Sequence, residues 1–103
     1  MVHDAVSRLR LDYAPVMLRH LSQQDESGLQ SAYELGRGAM RDSVGLLEVV
    51  RVHNEVFLEV HASSRDLEEA RRTARAAAAL LLELVAAFEM TQRGFMEGRP
   101  APE

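Results

Sequence analysis

An all-α fold, and within it a small four-helix up-down bundle, is what the sequence predicts from three observations. Apolar residues recur at three- and four-residue spacing along most of the chain, with no convincing alternating run of the kind a strand needs. Polar and small residues at "SQQDESG" (22–28), "RDSVG" (41–45) and "HASSRDLEE" (61–69) cut that pattern into four segments. A length of 103 residues with 47% hydrophobic and 27% charged content suits one packed domain.

The first segment predicts a helix from about Asp4 to Leu21, with Val6, Leu9, Tyr13, Val16, Met17 and Leu21 on one side. Pro15 lies inside it, where it removes a backbone hydrogen bond and crowds the preceding turn, so a kink or restart is expected. Asp25 is a candidate N-cap for helix 2, over about 26–42, which carries Leu29, Ala32, Tyr33, Gly36, Ala39 and Met40 on one face. The opposite stripe, Gln30, Glu34, Arg37 and Arg41, is polar. Glycine inside a helix costs about 1 kcal/mol relative to alanine. Gly36 on the apolar face therefore predicts a close crossing by another helix.

Ser43 is the expected N-cap of helix 3, about 44–61, with Leu46, Val49, Val50, Val52, His53, Val56, Phe57 and Val60 inward. So many β-branched residues make a poor isolated helix, and packing must hold it. Ser63 with Asp66 resembles a capping box for helix 4, about 64–97. Residues 98–103, "GRPAPE", are expected to be a disordered tail to a single domain over 1–97.

Helix 4 raises a question in "ALLLELVAAFEMTQRGF" (79–95), which is apolar nearly all the way round. On a wheel, Leu81, Leu84, Val85 and Phe88 share one face with Ala77, Ala78 and Phe95, and form the expected core stripe. Leu82, Ala86 and Ala79 lie roughly 100–160° from its centre, beside Glu83 on the far side. An apolar patch off the core stripe marks a broader contact within the bundle, a dimer seam or a partner site. Leu47 and Leu58 on helix 3 read as scattered surface leucines.

Catalytic and metal chemistry find little footing. His53 sits among valines and reads as a core histidine; His53 and His61 lack the i, i+4 spacing of a helical metal pair. His3 and His20 read as surface groups. "GRG" (36–38) lies within a helix and lacks the phosphate-loop pattern, and no His is placed to activate the "RDS" or "SSRD" hydroxyls. There are no cysteines, which excludes disulfides and thiolate sites and fits a reducing cytoplasm. With net charge −4 and no basic block, nucleic-acid binding is not expected. The N-terminus shows no apolar signal segment, and the run Ala76 to Phe88 is too short to span a bilayer. No enzyme activity, cofactor or metal is expected.

At "AYELGRGAM", "LLEVVRVHNEV" and "LLLELVAAFEMTQRGFME" the chain resembles the RsbU N-terminal domain family. The resemblance rests on Ala32, the run 34–37 with Gly36, Glu48 and His53, Leu81 to Leu84, and Phe88, Glu89, Met90, Arg93, Gly94 and Phe95. It covers roughly residues 12–97. It implies a homodimeric helical domain, related in fold to the C-terminal domain of the clock protein KaiA. It also implies that, as in the family's phosphatases, the RsbU-type domain receives an RsbT-like switch protein kinase and so controls a PP2C-type phosphatase. It further implies a partner surface midway along helix 4, matched by Leu82 and, as a smaller residue, by Ala86, with Ala79 and Glu83 beside them. The family's docking tyrosine at the start of helix 2 falls at Gln30, a departure that bears on which partner is taken. Gly38 replaces a frequent basic residue. Neither a PP2C-type catalytic domain nor its helical linker is recognisable in the 103 residues, which implies a standalone form or a fragment. The expected function is non-catalytic docking and dimerisation in a partner-switching, stress-response regulator. The alternatives are a small-ligand-sensing bundle and a purely structural dimeriser.

Overall fold

A computed structural model describes residues 4–98, with side chains through residue 91. Four helices make up the described fold: α1 (Ala5–Ser22), α2 (Glu26–Arg41), α3 (Leu46–His61) and α4 (Leu67–Gly98). Arg93 and Phe95 lie on α4 outside the described side chains; Gly98, expected to open the tail, ends α4 instead, and residues 99–103 and His3 lie outside the described residues.

Each start is set by a local device. Asp4 accepts from Ser7 N at 2.8 Å and caps α1. Asp25 caps α2, accepting from Gly28 N at 3.4 Å and from Ser27 Oγ at 3.0 Å, and these bonds, Ser27's first, lower its carboxyl pKa. α1 runs unbroken through Pro15, with no restart. Pro15 is exposed, so the carbonyl deprived of its N–H partner faces solvent.

Two expected caps are corrected. Ser43 does not cap α3; it closes α2, with φ of 63° in the left-handed region. Ser43 N donates to Met40 O at 3.0 Å and Val44 N to Ala39 O at 2.8 Å, the paired bonds of a Schellman motif, with Val44 and Ala39 both buried. α3 therefore begins at Leu46, behind Gly45, which offers no side-chain cap. At α4 the cap is Asp66 rather than Ser63: its carboxylate accepts from Glu69 N at 2.8 Å, while Glu69 accepts from Arg65 N at 2.6 Å. This is a capping box shifted three residues along, and those Arg65 bonds lower the pKa of Glu69.

Named contacts show which helices pack together. Arg8 meets Asp42 at 3.7 Å and His20 packs on Gly28, so α1 and α2 form an antiparallel hairpin. Arg10 pairs with Glu55, Tyr13 bonds His53, and Leu18 shares a cleft with Val60, so α3 packs along α1. α2 crosses α4 with Gly36 against Leu84 and Ala87. The result is the expected four-helix bundle, its core built from Leu9, Tyr13, Met17, Ala32, Ala39, Val44, Val49, Val52, Val56, Ala77, Leu80 and Leu84. Two glycines on one face of α2 admit two different neighbours. A Cβ on Gly28 would lie 2.5 Å from His20 Nδ1, and one on Gly36 would lie 2.8 Å from Ala87 Cβ.

One histidine is corrected: His20, expected at the surface, is buried, continuing the Leu9, Tyr13, Met17 stripe, and its Nδ1 has no hydrogen-bond partner among the described residues. His53 is buried as expected. Its Nδ1 lies 2.7 Å from Tyr13 Oη, and its ring stacks on Phe57 at a centroid distance of 6.5 Å. Burial lowers the imidazole pKa and raises the phenol's, so both stay neutral and the phenol O–H is assigned as donor to Nδ1.

Candidate docking surface on the last helix

At 32 residues α4 is twice the length of α2 or α3, about 48 Å at 1.5 Å per residue. Its buried positions are Thr73, Ala76, Ala77, Leu80, Leu84 and Ala87, recurring every three or four residues. The core stripe is thus turned from the expected one. Leu80 and Ala87, both fully buried, hold its centre; Leu81 and Phe88 are half-buried flanks; Val85 falls outside the stripe, and Ala78 is exposed. The crossing at Gly36 accounts for the turn, because α4 must present Leu84 and Ala87 to α2 for the backbones to close.

The opposite face keeps Leu82 in solvent at 70% exposure, the highest value among the large hydrophobic residues described. Ala78 beside it is exposed, and Ala79, Val85 and Ala86 are half-buried. Arg75 and Glu89, both exposed, bracket the patch seven residues to either side of Leu82. Of the three residues that wheel geometry set off the core stripe, Leu82 is exposed and Ala79 and Ala86 are half-buried. The wheel did not single out Arg75, Ala78 or Glu89, although the same 100° step finds them.

Glu83 is half-buried rather than on the far side. It borders Glu26, Ser27, Leu29 and Gln30 in a shallow depression where α4 meets the first turns of α2. Gln30, which stands where the docking tyrosine was expected, is thereby brought beside the α4 patch. Its amide is held by Glu34, with Nε2 donating to Oε2 at 3.0 Å. The surface spans two helices, with an apolar ridge at Leu82 and a polar shoulder at Glu83 and Gln30.

Elsewhere, an open cleft of about 720 Å³ lies between the ends of α1 and α3 and the start of α4. Leu18, Leu21 and Val60 give it apolar walls, and Ser64, Arg72 and Thr73 give it polar ones; Ser64 Oγ is buried with no hydrogen-bond partner among the described residues. It shares no lining residue with the α4 patch. Among the described residues no three His, Asp or Glu side chains gather as a metal set, and no helix is long and apolar enough to cross a membrane.

No curated protein and no solved structure matches the chain. A family model does, the one described as phosphoserine phosphatase RsbU, N-terminal domain, over residues 11–91. That match takes in all of α2 and α3, most of α1, and α4 through the patch, and it concerns a regulatory domain rather than the catalytic phosphatase domain. With the greater part of its length inside that match, the chain belongs to the family of RsbU N-terminal domains.

Proposed function

We propose that the chain is a non-catalytic docking and dimerisation module of a partner-switching regulator. It captures an RsbT-like switch protein kinase on the Leu82 surface and thereby controls a PP2C-type phosphatase or another effector. The observation that carries this reading is the exposure of Leu82 on a ridge of small residues, in a domain whose family is regulatory. An exposed leucine flanked by alanines lets a partner helix approach closely and gains apolar burial that the lone bundle leaves unused. The mechanism needs no chemistry: a partner that binds one arrangement of α4 better than another shifts the population toward it.

Leu82→Asp tests this. It should lower affinity for an RsbT-type protein by about a hundredfold, as loss of a central anchor does. Helicity and melting should stay unchanged, because the side chain is already in water. Equal affinity of variant and wild type in a calorimetric titration would refute the site.

The cleft at Ser64 and Thr73 supports a second reading, a bundle that senses a small ligand. A thermal-shift screen of metabolites, with Thr73→Val as control, separates it from docking. Stabilisation that Thr73→Val abolishes and Leu82→Asp does not would favour the sensor.

A further inference from the structure

The open cleft at the ends of α1 and α3 is lined by one charge of each sign. Both come from the start of α4: Glu69 and Arg72, three residues apart and so about 4.5 Å along the helix. They do not pair with each other. Glu69 lies 3.3 Å from the guanidinium of Arg65, and Arg72 makes no ion pair among the described residues. The apolar wall, Leu18, Leu21 and Val60, comes from the other two helices. Ser64 also lines the cleft, yet its Oγ is buried with no hydrogen-bond partner among the described residues. An orphaned hydroxyl is costly, and a turn about one side-chain bond would give it to a ligand. The volume of about 720 Å³ lies within the range of clefts that hold small molecules.

We propose that this cleft takes a free α-amino acid with an aliphatic side chain, bound as its zwitterion. The ligand's carboxylate pairs with Arg72, its ammonium with Glu69, and its side chain lies on Leu18, Leu21 and Val60. Glu69 has acceptor capacity left, because a carboxylate offers about four lone-pair sites and Arg65 takes two. A ligand with a single charge would satisfy one of the two α4 groups and leave the other unmatched. A zwitterion serves both. Ser64 and Thr73 add hydroxyls for the ligand's remaining polar atoms. The ends of α1 and α3 also bring their electronegative carbonyl termini, which favour the ammonium.

This assignment rests on the small-ligand reading of the cleft and names the ligand's class. It leaves the Leu82 surface free, since the two share no lining residue. Three helices meet at the cleft, so a bound ligand ties the start of α4 to α1 and α3 and stabilises the fold.

Calorimetric titration of L-leucine into the 103-residue chain tests the class. Binding should saturate below about 10 mM and raise the melting temperature. 4-Methylpentanoate lacks the ammonium and L-leucinamide lacks the carboxylate, and each should bind about tenfold more weakly or worse. Arg72→Gln should weaken L-leucine by about tenfold and erase its advantage over L-leucinamide. Leu18→Ala should narrow the margin of L-leucine over L-alanine. Both side chains are exposed, so melting without ligand should match the wild type and show that the variants fold. Leu82→Asp should bind L-leucine as the wild type does. Equal binding of 4-methylpentanoate or L-leucinamide, or binding indifferent to Arg72→Gln, would overturn the zwitterion. So would the absence of L-leucine binding up to about 10 mM, which saturates a site with a Kd of about 1 mM. If another metabolite then stabilises the chain and Thr73→Val abolishes that effect, the small-ligand reading stands without the amino acid. If none does, both fall.

Discussion

Leu84 and Leu82 stand two residues apart on α4, yet one is 1% exposed and the other 70%. Around each lie small residues: Gly36, Ala77 and Ala87 near Leu84, and Ala78, Ala79 and Ala86 near Leu82. Small side chains do the same physical job on both faces, letting a second backbone come close. On the inner face that backbone is α2, already in place, and the contact belongs to folding. On the outer face no described residue covers Leu82, and that face is the one proposed for association. Composition does not distinguish the two faces; the crossing at Gly36 does, by fixing which way α4 is turned.

The largest expected effect comes from cutting the two leucines to alanine. Leu84→Ala opens a cavity in a close-packed core and should cost about 2–5 kcal/mol of unfolding free energy. Leu82→Ala removes a side chain already in water and should stay within about 0.5 kcal/mol. Urea denaturation of both variants checks this. Equal losses would mean that Leu82 is covered within one chain, which would remove the distinction between the faces.

A second, smaller effect sharpens the comparison on α2. Alanine is favoured over glycine in a helix by about 1 kcal/mol. At Gly36 the added Cβ would come to 2.8 Å from Ala87 Cβ and 2.9 Å from the backbone oxygen of Leu84, which cannot swing aside. Overpacking of this kind costs about 1–3 kcal/mol, so Gly36→Ala should destabilise on balance. Two residues on, at Gly38, the nearest atom is the mobile tip of Arg41 at 3.5 Å, and Gly38→Ala should stabilise by about 0.4–1 kcal/mol. Chemical denaturation should thus give opposite signs for one substitution at two sites on one helix. A gain at both would show that α4 can retreat from α2.

How far these features were legible in the sequence follows from how strongly each is specified locally. Asp25 as a cap, Gly36 as a crossing and His53 as a core group were readable, because each is a residue whose physical cost demands that use. The phase of the α4 stripe was not. In "ALLLELVAAF" the single charge, Glu83, is all that marks a boundary, and wheel geometry tolerates a turn of one residue. Leu82 survived that error because it lies opposite either version of the core. Ser43 misled because serine prefers helix starts, whereas the Schellman bonds and the buried Val44 decide the conformation there. His20 misled because its polarity argues for the surface, whereas its register three residues beyond Met17 and the space left by Gly28 bury its ring.

The smallest effect belongs to the interior and is read as pH dependence. Burial lowers the His53 pKa below its ordinary 6.5, so the folded protein holds the ring neutral, accepting from Tyr13. An unfolded chain takes up that proton near pH 6.5. On acidification the unfolded state therefore binds more protons than the folded one, and stability falls with falling pH until the folded ring titrates as well. Above pH 6.5 the contribution is fully present and the curve is flat in this group. A separate loss follows at lower pH as Asp25 and Glu69, whose carboxyl pKa values are lowered by their capping bonds, are protonated. His53→Gln should remove the step below pH 6.5 and leave the carboxylate step in place, measured by urea denaturation from pH 8 down to pH 3. An NMR titration of the His53 ring should place its midpoint below 6.5, and a midpoint at or above that value would mean that protonation of the ring does not oppose folding. The outer face carries no such buried base, so Leu82→Ala should leave both steps where they are.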